Sequence, residues 1–175
     1  GSASFSVMAN TLRGVYGTDV LLATANSFTG SVLQADYNKK MAASMIMPNG
    51  LMSRQRTMTG AELKETVRAF VEGCEGGFVP FNRGSLPVVS GIAVEVKEAG
   101  GSYTLTGITR NGQPLRDDDT VTVTCLAAEN QMEALLASES GTSAGEDAWV
   151  KDTWCDYVSG GGAALAEPEN YMTLR

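Results

Sequence analysis

The clearest pattern of apolar and polar positions covers residues 58–73, and it predicts a helix with both ends marked. Thr59 and Glu62 have the spacing of a capping box, in which each side chain accepts a hydrogen bond from the other residue's backbone N–H. Met58 and Leu63 take the two positions of a hydrophobic staple, which fixes the direction in which the chain enters the helix. The apolar residues at helical spacing are Leu63, Val67, Phe70 and Val71. The glycine that closes the segment supplies the stop.

The chain before this helix shows short helical and strand patterns in alternation. Within residues 4–13 the apolar residues at helical spacing are Phe5, Met8, Ala9 and Leu12. Residues 19–24 are a short and mostly apolar run, which is typical of a buried strand. A brief helix is predicted over residues 39–45 and, after an Asn-Gly turn, a strand over residues 51–57.

The chain after the helix alternates apolar and polar residues in the manner of strands. The predicted strands cover residues 92–96, 103–109 and 120–125, with turns at 100–101 and 111–112. Two helical patterns follow, over residues 127–137 and 149–158, and Ser143 and Glu146 offer the second helix a capping box. Residues 171–174 are expected to add an edge strand. We therefore predict one α+β domain with a mixed, largely antiparallel sheet and flanking helices.

Composition narrows the class of protein. With 175 residues, of which 43% are hydrophobic and 19% charged, the chain is long enough for one domain with its own core and too apolar to be disordered. Its net charge of −7 and the absence of a basic stripe make nucleic acid an unfavourable partner. No apolar run approaches the ~20 residues of a membrane-spanning helix, so we expect no membrane span in this chain.

Histidine is absent, which excludes a histidine-based catalytic triad and histidine-ligated zinc. The cysteines Cys74, Cys125 and Cys155 are far apart and form no CxxC pair, so they predict neither a disulfide framework nor a metal site. For Cys125 and Cys155 we favour burial as small hydrophobic residues. Ser90 has no Gly-x-Ser-x-Gly context and no histidine to activate it, which makes an independent serine or cysteine hydrolase the least favoured function.

Each of three further groups of residues has one interpretation as a ligand contact and a second, purely structural interpretation. Asp117–Asp119 offer oxygen ligands to a hard cation, but the spacing lacks the downstream glutamate of a calcium loop, and a solvated turn is favoured. Arg54 and Arg56 point to one face of their strand and suit an anion, but covering a sheet edge or pairing with the acidic surface is favoured. Phe78 and Phe81 offer stacking rings, although core packing is favoured.

Four short segments carry a resemblance to a known family. They are residues 58–64 (Met-Thr-Gly-Ala-Glu-Leu-Lys), 90–92 (Ser-Gly-Ile), 111–115 (Asn-Gly-Gln-Pro-Leu) and 118–123 (Asp-Asp-Thr-Val-Thr-Val). In this order they resemble successive signatures of the C-terminal domain of the 5'-nucleotidase family. With the order of elements, the likeness extends from about Phe5 to Leu174. The resemblance implies that residues 1–175 have the α+β fold of that domain.

The family that these signatures resemble consists of exported phosphohydrolases with an N-terminal dimetal domain and a C-terminal domain that holds the nucleotide. By that likeness we expect no catalytic residue, metal ligand or cofactor in this chain, and divalent metals only in a separate N-terminal domain. The expected partners are that metallophosphoesterase domain of the same parent chain and a small, nucleotide-like ligand. An extracytoplasmic location is expected on the same ground.

The positions at which the family holds its ligand are substituted here. The resemblance places Thr24 where the family has Asn and Thr29 where it has Arg, with Asn26 between them in the same loop. Asn49 stands where the family has the first of two aromatic rings that sandwich the base, and Asn130 lies in the loop where the second ring is expected. The scaffold signatures are thus kept, whereas the expected ligand contacts are lost.

Two functions from different classes follow from this combination. The leading hypothesis is the substrate-binding domain of a 5'-nucleotidase-like phosphohydrolase of nucleotide catabolism, not catalytic alone and with degenerate nucleotide-binding positions. The alternative is a non-catalytic binding or interaction module that kept the scaffold and lost nucleotide binding. A rise in melting temperature with nucleosides or nucleotides separates the two, because only a ligand that prefers the folded state stabilises it.

Overall fold

A computed structural model describes residues 3–23, 27–28, 39–46, 50–72, 87–128, 132, 141–160, 165–167 and 172–175. The helices within these residues are α1 (Ala3–Tyr16), α2 (Lys39–Ala43), α3 (Gly60–Glu72) and α4 (Val150–Ser159). The strands are β1 (Val20–Ala23), β2 (Leu51–Thr59), β3 (Val88–Ser90), β4 (Ala93–Ala99), β5 (Ser102–Arg110), β6 (Gln113–Pro114), β7 (Thr120–Ala128), β8 (Thr142–Ser143), β9 (Ala148–Trp149) and β10 (Met172–Leu174). None of the described helices is long and apolar enough to cross a membrane.

The described strands form two sheets. The main sheet has the order β3-β1-β7-β2, and both β8 and β9 pair with the other edge of β2. The small sheet has the order β10-β4-β5-β6. Within the described residues, β1–β7 and β10–β4 are parallel pairs and the remaining pairs are antiparallel. The predicted mixed, largely antiparallel pairing is confirmed, and it is divided between two sheets where the sequence pattern indicated one.

Both faces of the main sheet are covered. Along β1, Val20 and Leu22 face a core shared with α3 and the small sheet, whereas Leu21 and Ala23 face a core shared with α1, α2 and α4. All four side chains are fully buried, as expected for a central strand whose sequence is a continuous apolar run. The small sheet contributes to the first core through Val94, Val96 and Ile108. It therefore covers a face of the main sheet instead of extending its edge.

Helix α3 confirms the predicted helix and its capping box. The Thr59 backbone N–H donates to Glu62 Oε2 at 2.7 Å, and the Glu62 N–H donates to Thr59 Oγ1 at 3.2 Å. The other carboxylate oxygen, Oε1, accepts from the Gly141 N–H at 3.1 Å. These backbone donors, that of Thr59 first and that of Gly141 second, lower the pKa of Glu62 from its ordinary value of 4.5. The apolar face and the staple are buried: Met58, Leu63, Val67, Phe70 and Val71.

The predicted start of α4 is wrong. The sequence pattern put Trp149 on the apolar face of this helix, but Trp149 is its N-cap and the last residue of β9. Trp149 makes no side-chain cap bond, and Ser143 lies in β8, where its hydroxyl donates to the Gly145 carbonyl at 3.1 Å. The predicted Ser143–Glu146 capping box is therefore wrong as well, because residues 142–143 and 148–149 pair with β2 as strands and the helix begins only after residue 149.

The helix predicted over residues 127–137 is wrong at its start, because Ala127 and Ala128 pair with Met52 and Leu51 as the end of β7. The other predicted helices and strands that fall in the described residues are confirmed, with ends shifted by a few residues. Several predictions lie outside the described residues: most of the segment 129–137, the turn at 47–49, the stop at Gly73, and Cys74, Phe78 and Phe81.

One end of the main sheet is joined to the small sheet by a carboxylate. We call it the network end, and its strand-end residues are Val20, Thr59 and Thr120. Asp19 Oδ2 accepts from the Thr122 backbone N–H at 2.9 Å and from the Thr122 hydroxyl at 3.0 Å, and Asp19 Oδ1 accepts from the Arg110 guanidinium at 2.5 Å. Because Thr122 belongs to β7 and Arg110 to β5, one side chain links the two sheets.

The Ser90-Gly91 signature also lies at the network end. The buried Ser90 hydroxyl donates to Asn10 Oδ1 at 2.7 Å and accepts from Arg13 Nε at 2.8 Å, which ties β3 to α1. Gly91 has a φ of 84°, and a Cβ at this position would lie 2.0 Å from the Asp19 carbonyl oxygen. Only a residue without a side chain fits both the conformation and the space.

The Asn111-Gly112 signature closes the hairpin between β5 and β6. Both residues have positive φ, 52° for Asn111 and 75° for Gly112, which is the backbone conformation of a two-residue type I′ turn. Leu115, which ends this signature, is 4% exposed in the core beside α3. The predicted turn is thus confirmed, and its residue types have a structural reason.

Candidate functional site

The five predicted ligand-contact positions, Thr24, Asn26, Thr29, Asn49 and Asn130, lie outside the residues that the structure describes. Their roles therefore stay predictions. The strands that lead to them are described, and the ends of those strands fix where the predicted segments leave the sheet.

Three strand ends meet at the end of the main sheet opposite the network end. In the parallel pair, Ala23 at the end of β1 lies beside Leu126 of β7, and in the antiparallel pair Leu51 at the start of β2 lies beside Ala128 at the end of β7. We call this end, defined by Ala23, Leu51 and Ala128, the loop end. Open α/β sheets bind ligands at the carboxyl ends of parallel strands, and the loop end holds the carboxyl ends of β1 and β7. All the predicted contact segments adjoin this end.

Two residues of the first segment are described, and both are buried. Phe28 is 2% exposed and Ser27 is fully buried. The Phe28 ring lies 5.8 Å from the Phe5 ring of α1, centroid to centroid, and its backbone forms an isolated bridge with Ile46. Phe28 therefore fastens the segment between Asn26 and Thr29 to the core under α1, which gives the loop a fixed point.

The face of β2 that carries Met52, Arg54 and Arg56 looks toward the core beside α3, as the packing of Met52 there shows. At its edge, Met52 pairs directly with Trp149 of β9, whose side chain is 49% exposed. Next to them, Arg54 forms an ion pair with Asp147: a terminal nitrogen donates to Oδ2 at 2.7 Å, and Nε lies 2.9 Å from Oδ2 and 3.1 Å from Oδ1. The predicted pairing with the acidic surface is thus confirmed for Arg54.

Arg56 is held differently from Arg54. Its side chain is half-buried, and its Nε is shielded from solvent with no hydrogen-bond partner in the part of the chain that the structure describes. On the backbone it lies between Val123 of β7 and Ser143 of β8. A buried guanidinium N–H without an acceptor is uncommon, because leaving it unpaired costs about 1–3 kcal/mol or more.

Among the described residues, Cys125, Cys155 and Ser90 are all enclosed in the fold. Cys125 is fully buried, and that burial raises the pKa of its thiol to about 12, although the nearby Arg56 and Arg54 oppose the shift. The thiol is therefore protonated at neutral pH, and a thiol is a poor nucleophile. Ser90 is occupied in the bonds to Asn10 and Arg13. Cys155 is buried on the inner face of α4, so the predicted burial of both cysteines is confirmed.

The three consecutive aspartates form the turn before β7. Asp119 Oδ2 accepts from the Arg116 backbone N–H at 3.0 Å, and Asp117 forms an ion pair with Lys64 of α3 at 2.7 Å. Asp118 pairs with the Arg116 side chain at 3.2 Å. Each carboxylate thus has a partner in the turn or on α3. In the described ranges no three histidine, cysteine, aspartate or glutamate side chains are grouped so that they could hold a metal ion.

Comparison with solved structures finds the same fold in larger proteins. The sulfate thiohydrolase SoxB of Thermus thermophilus, solved in complex with glycerol, matches 99% of this chain over 32% of its own, with a TM-score of 0.69 and 12% identity. A 5'-nucleotidase precursor, also from Thermus thermophilus, matches 98% of this chain over 34% of its own, with a TM-score of 0.63 and 14% identity. The NAD nucleotidase NadN of Haemophilus influenzae matches 100% of this chain over 33% of its own, with a TM-score of 0.65 and 15% identity. No protein-family model and no curated protein matches the sequence.

At these identities the likeness shows the fold, and it confirms the fold that the sequence signatures predicted. The chain spans about a third of the length of the structures that it matches. That share is consistent with the C-terminal domain of those proteins.

Sequence reasoning missed the exposure of Trp149 and the burial of the Arg56 Nε. The local pattern assigned Trp149 to a buried helix face, because Trp154, Tyr157 and Val158 follow it at helical spacing. Its exposure comes from the β2–β9 pairing, which joins residues far apart in the chain. For Arg56 the signal was present, since an arginine at an inward position of a strand requires an acceptor, but the sequence did not show which acceptor is missing.

Proposed function

We propose that this chain is the substrate-binding domain of a 5'-nucleotidase-like phosphohydrolase. In this proposal residues 1–175 form one domain that shapes the ligand side of a cleft and breaks no bond itself. The bond-breaking chemistry belongs to an N-terminal metallophosphoesterase domain of the same parent chain, which holds the divalent metals. The parent protein acts in nucleotide catabolism outside the cytoplasm.

The observation that carries the proposal is the match of the whole chain to a third of each of several larger proteins, among them a 5'-nucleotidase precursor and NAD nucleotidase. Two thirds of those chains have no counterpart here. The described part of this chain has no grouping of metal-binding side chains, and the sequence has no histidine. These facts favour a role in holding the substrate over a role in activating water.

The geometry of the loop end supports the same role. The strands that flank Thr24, Asn49 and Asn130 end or begin within two residue pairs of each other at this end of the main sheet. Since the network end is occupied by bonds that join the two sheets, the loop end is where the sheet has room to carry ligand-contacting segments. The predicted contacts at Thr24, Asn26, Thr29, Asn49 and Asn130 belong to this proposal.

Hydrolysis assays on the purified 175-residue chain test the proposal. With Mn²⁺, Mg²⁺ or Zn²⁺ present, the chain should not hydrolyse AMP or a chromogenic phosphate monoester above the buffer rate. AMP should nevertheless raise its melting temperature, because binding to the folded state adds about 2.7 kcal/mol at a ligand concentration of 100 Kd. Hydrolysis that a chelator abolishes would contradict the proposal.

A second candidate is a non-catalytic interaction module that kept the scaffold and lost nucleotide binding. The substitution of the family's asparagine, arginine and both ring positions favours it. The same titration separates the candidates. If adenosine, AMP, UMP and NAD all leave the melting temperature unchanged at millimolar concentration, the interaction module is supported and the substrate-binding domain is not.

A further inference from the structure

Residues 142–149 border the main sheet at the outer side of β2, and we call them the edge segment. The two ends of this segment are β8 and β9, and between them the Ala144 N–H donates to the Gln55 carbonyl at 3.1 Å. No described strand pairs with the other side of the segment. Seven of its eight residues are exposed, and Ala148 is half-buried. The backbone therefore presents an edge of the main sheet that is accessible to a further strand.

The charges of the edge segment restrict which strand can pair with it. An open sheet edge pairs with other extended chains unless its side chains prevent it. The edge segment carries Glu146 and Asp147 side by side, and both are exposed. Their carboxylates repel an acidic strand, and a second copy of this chain is acidic, with its net charge of −7. A basic strand is attracted by the same two carboxylates.

The edge segment ends in an exposed aromatic ring. Trp149 is 49% exposed, and its backbone is fixed by the pairing with Met52 of β2 and by the first turn of α4. The other tryptophan, Trp154, is fully buried on the inner face of α4. Core packing therefore accounts for the large ring at position 154 but not for the one at position 149. A ring held in this way offers a broad contact surface and loses little conformational entropy when a partner covers it.

The surroundings of the ring are acidic. Residues 146–156 contain one cation, the half-buried Lys151, and four exposed carboxylates, which belong to Glu146, Asp147, Asp152 and Asp156. Asp152 is the third residue of α4, and the N-cap and the third helical residue are neighbours at the start of a helix, so Asp152 lies beside Trp149. Asp147 is already paired with Arg54. A cation above the ring is therefore attracted chiefly by Glu146 and Asp152.

We propose that the edge segment docks an extended basic segment of another protein. The partner adds a strand to the main sheet beside β8 and β9, so that backbone hydrogen bonds hold it, and it places an arginine or lysine over the Trp149 ring. Tryptophan is the aromatic side chain that attracts a cation most strongly, and the carboxylates of Glu146 and Asp152 add to that attraction. This role goes beyond the proposed function, since it involves neither the nucleotide-like ligand nor its predicted contacts.

A peptide of defined sequence tests the docking. The probe is as long as the edge segment and alternates arginine with threonine, with its ends acetylated and amidated, and the control peptide has glutamate in place of each arginine. Calorimetric titration of the 175-residue chain should show that the arginine peptide binds at least about tenfold more tightly than the glutamate peptide. The arginine peptide should also change the fluorescence of Trp149, the exposed one of the two tryptophans.

Substitutions separate the contacts of the edge segment from the charge of the whole chain. Trp149→Ala should weaken binding of the arginine peptide about threefold or more, since a cation–π contact contributes roughly that factor. Glu146→Gln combined with Asp152→Asn should weaken it at least about fivefold. The matched control combines Glu98→Gln on β4 with Asp118→Asn in the turn before β7, which removes the same charge from exposed positions elsewhere, and it should stay within about twofold of the wild type.

Hydrogen exchange locates the added strand. The bound arginine peptide should slow amide exchange within residues 142–149, because strand addition pairs the backbone N–H groups of an open edge. Met41→Ala on α2 controls for exposed apolar area, since Met41 is the other exposed large hydrophobic side chain among the described residues, and it should bind the peptide as the wild type does.

The proposal is overturned if the arginine peptide does not bind at millimolar concentration, or if it binds without slowing exchange in the edge segment. It is also overturned if the two double variants weaken binding equally, because binding would then follow total charge, or if Trp149→Ala binds like the wild type. None of these results bears on the proposed function, which the AMP titration tests separately. Melting temperatures are measured in parallel, and should Trp149→Ala not fold, the two double variants still decide.

Discussion

At the network end of the main sheet, polar side chains bond to one another, whereas at the loop end a large apolar side chain is exposed. Asp19 satisfies donors from Thr122 and Arg110, and its neighbours Ser90 and Gly91 fit around it without spare volume. At the loop end, the Trp149 side chain is 49% exposed beside Met52. One end of the same sheet is thus closed by side-chain hydrogen bonds, and the other exposes a large ring.

The sequence signatures follow the same division. The Ser-Gly, Asn-Gly and capping-box signatures each have a structural reason, and the first and third of them lie at the network end. The positions that depart from the family pattern adjoin the loop end. Substitutions at the network end should therefore change the free energy of unfolding, and substitutions at the loop end should change ligand affinity.

The largest effect is expected for Gly91→Ala. The added Cβ would lie 2.0 Å from the Asp19 carbonyl oxygen, and the φ of 84° is unfavourable for any side chain. The two penalties together should lower the free energy of unfolding by at least about 3 kcal/mol. Urea denaturation measures it. Gly100→Ala is the control, since its φ is 61° but no atom lies within 4 Å of the new Cβ, and it should cost only about 1–2 kcal/mol. Equal losses in the two variants would show that Gly91 is not closely packed.

The next effect is expected for Asp19→Ala, which removes the link between the sheets. It leaves the Thr122 backbone N–H and the Arg110 guanidinium without their acceptor, which should cost about 2 kcal/mol in the free energy of unfolding. Asp118→Ala removes an aspartate whose side chain is 78% exposed beside Arg116, and it should stay within about 0.5 kcal/mol of the wild type. If denaturant titrations show the same loss in the free energy of unfolding for both variants, Asp19 has no specific role in stabilising the network end.

Whether a contact could be predicted from the sequence depends on how far apart its two residues lie in the chain. The capping box joins Thr59 to Glu62, three residues apart, and was predicted with its bonds. The bond between Asp19 and Arg110 spans 91 residues and has no local pattern, so it was not predicted. The position of Trp149 has the same cause: its helical spacing with Trp154 is local, and the strand pairing that overrides it is not.

The candidate site was less readable than the fold for a related reason. In core strands and helices the apolar residues recur at fixed spacings, so an assignment that is wrong by one residue is visible in the pattern. The predicted ligand-contact positions, such as Thr24, Thr29 and Asn49, fall between the predicted elements and have no period, and only a family resemblance assigns them. The structure adds that the neighbouring strands end or begin at one end of the sheet, at Ala23, Leu51 and Ala128.

A gain of ligand affinity at the loop end would test the same comparison between the two ends of the sheet. Introducing Thr29→Arg together with Asn49→Phe returns the guanidinium and the first ring that the resemblance implies. AMP affinity should rise about tenfold, the usual contribution of one stacked base, while the free energy of unfolding stays within about 1 kcal/mol. Calorimetric titration measures the first and urea denaturation the second. Thr104→Arg, on an exposed position of β5, controls for the added charge. Unchanged affinity would mean that these segments do not contact the ligand.

The smallest effect concerns Glu62, whose carboxylate joins the network end to the residue before β8. Its two oxygens accept separately from the Thr59 and Gly141 N–H groups, and those bonds lower its pKa below 4.5. Because the folded pKa is lower than the unfolded one, the stabilisation is present above about pH 4.5 and is lost as the pH falls through the folded value.

In Glu62→Gln the amide has one oxygen and must turn its NH₂ toward one of the two donors, so the variant should lose about 0.5–1 kcal/mol at pH 7. The difference from the wild type should shrink as urea titrations are repeated from about pH 5 to about pH 3, since protonation of Glu62 removes the same acceptor. Glu98→Gln, exposed on β4, is the matched loss of charge and should stay within about 0.5 kcal/mol of the wild type at pH 7. A stability difference between Glu62→Gln and the wild type that stays constant down to about pH 3 would contradict this account. It would show that the charge of Glu62 does not hold Gly141, because protonating the carboxylate would then cost no stability.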